Sequence, residues 1–169
     1  LCPLSLATFL SLSSPPLQQQ IIFPMSTPNS TPQITVTATI YAPKHTVWEC
    51  YTEPEHIINW NFAGDDWCCP RATNDMVIGG RYVARMEARD GSFGFDFDAT
   101  YTAIHPGESF TYQFGDRFAT ATLQDVAGTN SIQTRLTITF DAETINPIEL
   151  QQQGWQAILD RFKGYVEGR

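Results

Sequence analysis

From Ile34 to Ile40 apolar and polar residues alternate without a break. Ile34, Val36, Ala38 and Ile40 share one face, and Thr35, Thr37 and Thr39 share the other. This is the period-two pattern of a half-buried strand. Pro43 then opens a short helix carrying Val47, Trp48 and Tyr51, since a proline is tolerated in a first turn, where its missing N–H would be unbonded anyway. Thr52-Glu53-Pro54-Glu55 reads as a capping box, in which the Thr hydroxyl and the Glu carboxylate meet each other's free backbone amides. It predicts a second short helix through Ile57, Ile58 and Trp60. Asn61 to Asp75 has no period and reads as a loop entering a strand.

From residue 79 the pattern is that of strands and short turns. Gly79-Gly80 leads into a strand from Arg81 to Arg89, and Asp90-Gly91 marks a two-residue hairpin, because such a turn needs positive φ. That turn sets the register: Arg89 opposite Ser92, Met86 opposite Phe95, Arg85 opposite Asp96, and Ala84 opposite Phe97. One face then carries Tyr82, Ala84, Met86, Phe93, Phe95, Phe97 and Tyr101, and the other Arg81, Arg85, Glu87, Asp96 and Asp98. Aromatics meet aromatics and opposite charges meet, whereas a one-residue slip would scramble both faces. After the turn at His105-Pro106-Gly107, Phe110, Tyr112 and Phe114 alternate; Gly115-Asp116 turns into a strand from Phe118 to Val126. Gly128-Thr129-Asn130 turns into a last strand placing Ile132, Thr134, Leu136, Ile138 and Phe140 on one face. Strands joined by such short turns predict an antiparallel meander.

The chain closes on its single long helical pattern. Asn146 is read as the cap, Pro147 as the first helical position and Glu149 as the reciprocal capping residue, with Gly168 as the stop. Trp155, Ile158, Leu159, Phe162 and Val166 recur at helical spacing. Gly154 costs such a helix about 1 kcal/mol relative to Ala. Two reasons for it are open: close approach of another element, or room for a ligand. One long helix must bury its stripe on the sheet, and the geometry of that contact decides whether a hollow remains between them.

A length of 169 residues suits one domain with a sizeable core. The net charge of -8 argues against nucleic acid and anionic membrane surfaces as partners. The four cysteines, Cys2, Cys50, Cys68 and Cys69, show no spacing of a zinc site, and the adjacent pair is poorly placed to bridge to itself. They read as free thiols in a reducing, cytoplasmic setting. Residues 1–33 differ: no charge occurs before Lys44, and Ser, Thr, Pro and Gln surround one apolar run at Leu4 to Leu12 that is too short to span a bilayer. They are read as a disordered leader or an over-extended gene start ahead of Met25, with the folded domain at residues 34–169.

The ordered set Ala42-Pro43 with Val47-Trp48, Pro54-Glu55 with Trp60-Asn61, Asp65-Asp66-Trp67 with Cys69-Pro70, Asn74-Asp75 with Gly79-Gly80, the run Asp90 to Phe97, and Gln153-Gly154-Trp155 with Ile158-Leu159 resembles the activator of HSP90 ATPase homologue-like family of the SRPBCC (START/Bet v 1-like) superfamily. The resemblance spans residues 34–167. It implies an α+β helix-grip fold: a curved antiparallel β-sheet wrapped around a long C-terminal helix, with two short helices after the first strand. It also implies a hollow that receives small hydrophobic or amphipathic molecules. Two departures stand out. Cys68 replaces the His that bacterial relatives carry before Cys-Pro, and Ala99 replaces a Gly, which implies a less bent strand there.

The candidate ligand-binding set is Trp60, Phe62, Trp67, Tyr82, Met86, Phe95, Phe97, Tyr101, Tyr112, Gly154, Trp155, Ile158 and Phe162. An aromatic wall with a few polar tips is what orients an amphipathic ligand. Asp65, Asp66 and Asp75 read as residues that fix their loop rather than as metal ligands, and His45, His56 and His105 as exposed. No phosphate loop or dinucleotide fingerprint is present, so neither cofactor nor metal is expected. The leading expectation is a binder of a small hydrophobic molecule. The alternatives are a cyclase-, hydrolase- or dehydratase-like enzyme using Asp66 or a Tyr in the same cavity, and a chaperone-associated regulatory protein acting through its acidic surface.

Overall fold

A computed structural model describes residues 31–127 and 132–169. The readings of residues 1–30 as a leader, of Cys2 and of the Gly128-Thr129-Asn130 turn lie outside the described residues. In chain order the elements are β1 (Gln33–Ile40), α1 (Lys44–Thr52), α2 (Pro54–Ile57), β2 (Trp67–Cys68), β3 (Ala72–Asn74), β4 (Arg81–Ala88), β5 (Gly94–His105), β6 (Ser109–Phe114), β7 (Arg117–Asp125), β8 (Thr134–Asp141) and α3 (Ile148–Glu167). The first strand starts one residue ahead of the expected boundary.

The strands form one curled antiparallel sheet in the order β1-β8-β7-β6-β5-β4-β2, with β3 also on β4. Strands β4 to β8 are the expected meander. Strand β1 crosses to the far edge and pairs with β8, Val36 opposite Ile138. The ladder between β4 and β5 has the register set out above, with Ala84 opposite Phe97, Arg85 opposite Asp96 and Met86 opposite Phe95. Gly91 takes the positive φ (73°) that the turn requires. The expected Arg89–Ser92 pair does not form. Arg89 leaves the ladder to donate its backbone N–H to the Asp66 carbonyl (2.8 Å) and its Nε to the Asp65 carbonyl (2.9 Å). Strand β5 breaks register between Tyr101 and Ala103, so its bend comes from a bulge at Thr102.

Several local expectations are corrected. Thr52 caps nothing: its hydroxyl donates back to the Trp48 carbonyl (2.8 Å), and α2 starts at Pro54 with Glu53 at the cap position. At α3 Pro147 occupies the cap position. Asn146 instead joins a loop organised by Glu143, whose carboxylate accepts from the Ile145 and Asn146 backbone N–H groups (2.6 and 2.9 Å). The irregular loop before β4 contains two short strands, since β4 has an open edge to receive them. Ile132 is exposed and precedes β8, whose buried face is Thr134, Leu136, Ile138 and Phe140. His56 is half-buried, its Nδ1 within 2.8 Å of the Tyr165 hydroxyl.

Helix α3 runs along β1 and covers the free edge of the sheet. An edge strand leaves a row of unpaired backbone groups that must be satisfied or protected. Here Gln152 Nε2 donates to the Thr35 carbonyl (3.4 Å), Gln156 Nε2 to the Thr37 carbonyl (3.3 Å), and Lys163 Nζ to the Thr39 carbonyl. The Glu167 carboxylate accepts the Tyr41 N–H (2.8 Å). Helical steps of four and seven residues thus track strand steps of two, which fixes the helix axis along the concave face.

Candidate functional site

The concave face of the sheet alternates by the strand rule: Phe110, Tyr112 and Phe114 from β6 sit beside Tyr101 and Phe97 from β5 and Tyr82 and Met86 from β4. Opposite them α3 presents Trp155, Ile158 and Leu159, and the α1–α2 corner presents Tyr51, Trp60 and Asn61. The two walls do not meet everywhere. A hollow of about 240 Å³ remains between them, completed by Phe95, Arg117 and Ile138.

Its two ends differ. At the closed end Tyr51, Trp60, Phe110 and Phe162 pack ring against ring, with centroids 4.8 to 5.7 Å apart. At the other end Phe95 is 41% exposed, Phe97, Met86 and Trp155 are half-buried, and Arg117 lies at the β6–β7 turn with its guanidinium 4.5 Å from the Phe114 ring centroid. Trp155 stacks on Phe140 at 4.1 Å and so forms part of the roof.

The polar atoms of the hollow are mostly phenols. Asn61 Nδ2 donates to the Tyr82 hydroxyl (2.8 Å), and the Tyr101 hydroxyl donates to Asn74 Oδ1 (2.9 Å). Asn74 Nδ2 is in turn held by the Thr52 carbonyl (2.6 Å). Tyr51 and Tyr112 also line the hollow. Among the described residues no protein group bonds either hydroxyl, and neither is sealed from solvent, the buried unpartnered side-chain atom there being Arg161 Nε. Burial pushes all four phenols above the usual tyrosine range, and their mutual proximity adds to it for Tyr51, Tyr82 and Tyr112. For Tyr101 burial is the main cause, and the hydrogen bond to Asn74 opposes it. Such hydroxyls stay protonated at neutral pH and act as hydrogen-bonding groups.

The structure brings Trp60, Tyr82, Met86, Phe95, Phe97, Tyr101, Tyr112, Trp155 and Ile158 of the sequence set together around this hollow. The other four lie elsewhere. Phe162 is wholly buried behind Trp60 and Tyr51. Phe62 is buried under the Arg161 guanidinium (4.5 Å). Trp67 sits on β2, at the end of the sheet opposite β1, edge-on to Phe93 and Phe95. A Cβ built on Gly154 meets nothing within 4 Å, so no element packs close against it.

Sequence reasoning missed Tyr51, Asn61, Phe110, Phe114, Arg117, Ile138 and Leu159. Phe110, Phe114 and Ile138 were recoverable, because each shares a strand face with residues already assigned inward. Arg117 was not, since a cation beside a turn carries no signal of its direction. Asp65 and Asp66 are both exposed and outside the lining; Asp65 pairs with Arg161. Asp96 and Asp98 lie on the convex face, bonded to Arg71 (3.0 Å) and Arg81. Cys68 is half-buried, and burial pushes the Cys69 thiol up to about 11. Among the described residues no group of three His, Cys, Asp or Glu side chains is placed to hold a metal ion, and no helix is long and apolar enough to cross a membrane.

A curled antiparallel sheet gripping one long helix defines the α+β helix-grip class of proteins, and comparison with known proteins narrows the class. The family model "Activator of Hsp90 ATPase homolog 1-like protein" matches residues 41–167, and the chain belongs to that family. An AHSA1-like protein from Aeromonas hydrophila is 36% identical, with a TM-score of 0.74 over 80% of this chain and 92% of the other. Chr148 from Cytophaga hutchinsonii is 40% identical, with a TM-score of 0.67 over the same shares, 80% and 92%. CV1439 from Chromobacterium violaceum, 23% identical with a TM-score of 0.68 over 80% and 96%, shares the fold. A search of curated proteins returns no match.

Proposed function

We propose that this chain binds a small hydrophobic or amphipathic molecule in the hollow beneath α3, as a cytoplasmic protein without a nucleic-acid or membrane partner. The observation that carries this reading is the pairing of free space with free hydroxyls. About 240 Å³ is left open among aromatic walls, and the phenols of Tyr51 and Tyr112 border it without a protein partner. Neither hydroxyl is a sealed, unpartnered atom, so water satisfies it when the hollow is empty, and an occupant that supplies an acceptor or donor there keeps that bond while burying its apolar body. A cavity of about 150 Å³ holds benzene, so this one suits a molecule of about ten heavy atoms.

An enzyme working in the same hollow would have to use protonated phenols and one guanidinium, because the lining contains no carboxylate, imidazole or thiol. Of the acid–base candidates of the sequence, Asp66 is not in the lining and the tyrosines are. A chaperone-associated role remains a separate proposal, resting on the acidic composition, and would appear as a raised ATPase rate of purified chaperone.

Native mass spectrometry of freshly purified protein tests the binding reading, together with titration of an apolar fluorescent dye. A stoichiometric adduct that vanishes on denaturation, or saturable dye uptake weakened by Trp155→Ala, is the expected result. Protein that carries no adduct and takes up no dye overturns the reading.

A further inference from the structure

Resting on that binding reading, we infer that the ligand is a carboxylate, with an aromatic or short aliphatic body in the hollow and its carboxylate on Arg117 at the mouth. Arg117 is the one charged residue in the lining. It is half-buried, its backbone pairs with Phe114 at the end of the β6–β7 ladder, and its guanidinium lies on the Phe114 ring (4.5 Å) with no contact ion pair or side-chain hydrogen bond among the described residues.

The neighbouring acids attract it from a distance but form no contact ion pair with it. Glu143 is the carboxylate that senses it, but Glu143 is already occupied. Its carboxyl is held below the usual range first by the Ile145 N–H, then by Asn146, and only last by Arg117. Asp141, on the adjoining strand, accepts from the Phe118 N–H (2.9 Å) and from Gln33 Nε2 (3.2 Å). A guanidinium with a ring on one face and open space beside it retains its in-plane donors, and these match a carboxylate edge.

The same arrangement selects against other occupants. A cationic amphiphile would set its charge against Arg117 while its body desolvated both. A neutral molecule would leave the guanidinium donors to water alone and gain no charge-assisted bond from them. Along β6 the four residue steps from Phe110 to Phe114 span about 14 Å, enough for an aryl group against Tyr112 and a short chain ending at Arg117. The phenols at the closed end then accept or donate to a substituent on the ring, while the charge stays at the half-open end, where water completes its solvation.

The test is a matched pair of probes with one shape and different charge, phenylpropionate and phenylpropionamide, titrated into the purified chain by calorimetry. The acid is expected to bind at least tenfold tighter than the amide, with the preference shrinking as ionic strength rises. Arg117→Gln is expected to collapse that preference, and Arg117→Lys to keep part of it; a melting curve for each variant confirms that it is folded. If wild-type protein binds acid and amide equally, or Arg117→Gln keeps the preference, Arg117 is not the anchor. Persistent dye uptake would then leave the hollow standing as a site for neutral molecules. Failure of acid, amide and dye alike would overturn both the carboxylate assignment and the binding reading.

Discussion

Helix α3 buries Leu159, Phe162 and Val166 in its second half and no residue in its first. The second half meets the α1–α2 corner, where Phe162 lies edge-on to Tyr51 (5.1 Å) and Trp60 (4.8 Å). The first half carries half-buried Trp155 over the open end of the hollow, and Ile158 and Leu159, where the second half begins, complete the helix's share of the lining. Both halves are tied to the sheet edge by side chains, Gln152 and Gln156 in one and Lys163 and Glu167 in the other. Their difference therefore lies in what is beneath them. One half is roofed onto packed rings, the other onto space, and a single amphipathic stripe serves both.

The largest effect expected from this contrast is at Phe162. It is wholly buried against the rings of Tyr51 on α1 and Trp60 just after α2, and truncating a core Phe costs about 3–5 kcal/mol. Phe162→Ala should lower the urea midpoint by a corresponding amount without changing the slope. A loss below about 1 kcal/mol would mean that the second half is as loosely supported as the first.

Alkaline titration probes the same end next. Burial raises the Tyr51, Tyr82, Tyr101 and Tyr112 phenols in the fold, while in the unfolded chain they ionise near about pH 10. Above that pH the unfolded state sheds protons that the folded state retains, so the folded state is disfavoured. Their contribution is fully present below about pH 10 and is lost as pH rises through the elevated folded values. Urea melts at increasing alkaline pH should show stability level up to that point and falling beyond it, with tyrosinate absorbance appearing only as the protein unfolds. Early, reversible ionisation in the native state would show the phenols to be solvated, and the closed end to be open.

The sequence carried the meander, the β4–β5 register and the long helix, because each rests on local signals: period-two alternation, Asp90-Gly91, and the spacing of Trp155, Ile158, Leu159, Phe162 and Val166. It did not carry the partner of β1, a pairing of Ile34 with Phe140 across the whole domain, since alternation says which face is buried and not which neighbour lies beside it. The caps failed for a related reason. Thr52 and Asn146 had the right chemistry for capping, but Thr52 bonded to the preceding turn and Asn146 to Glu143. In the site, aromatic type and strand face placed most of the walls. What separated Phe162 from Trp155 was depth along one helix, which periodicity does not encode.

The smallest expected effect discriminates most finely between the two halves. Gly154 lowers helix propensity by about 1 kcal/mol relative to Ala, and a methyl group there would meet nothing within 4 Å. The packing argument for the glycine is therefore gone, and Gly154→Ala should stabilise the protein by about 0.5–1 kcal/mol, partly by restricting the unfolded chain. Gly164, in the second half, has equally open space around its missing Cβ and should respond alike in stability. The halves should differ in ligand kinetics. If occupants enter beneath the first half, stiffening it at Gly154 should slow dye uptake in stopped-flow mixing, while Gly164→Ala leaves the rate unchanged. Equal slowing by both, or by neither, would show that Gly154 has no part in entry and that the two halves differ only in packing.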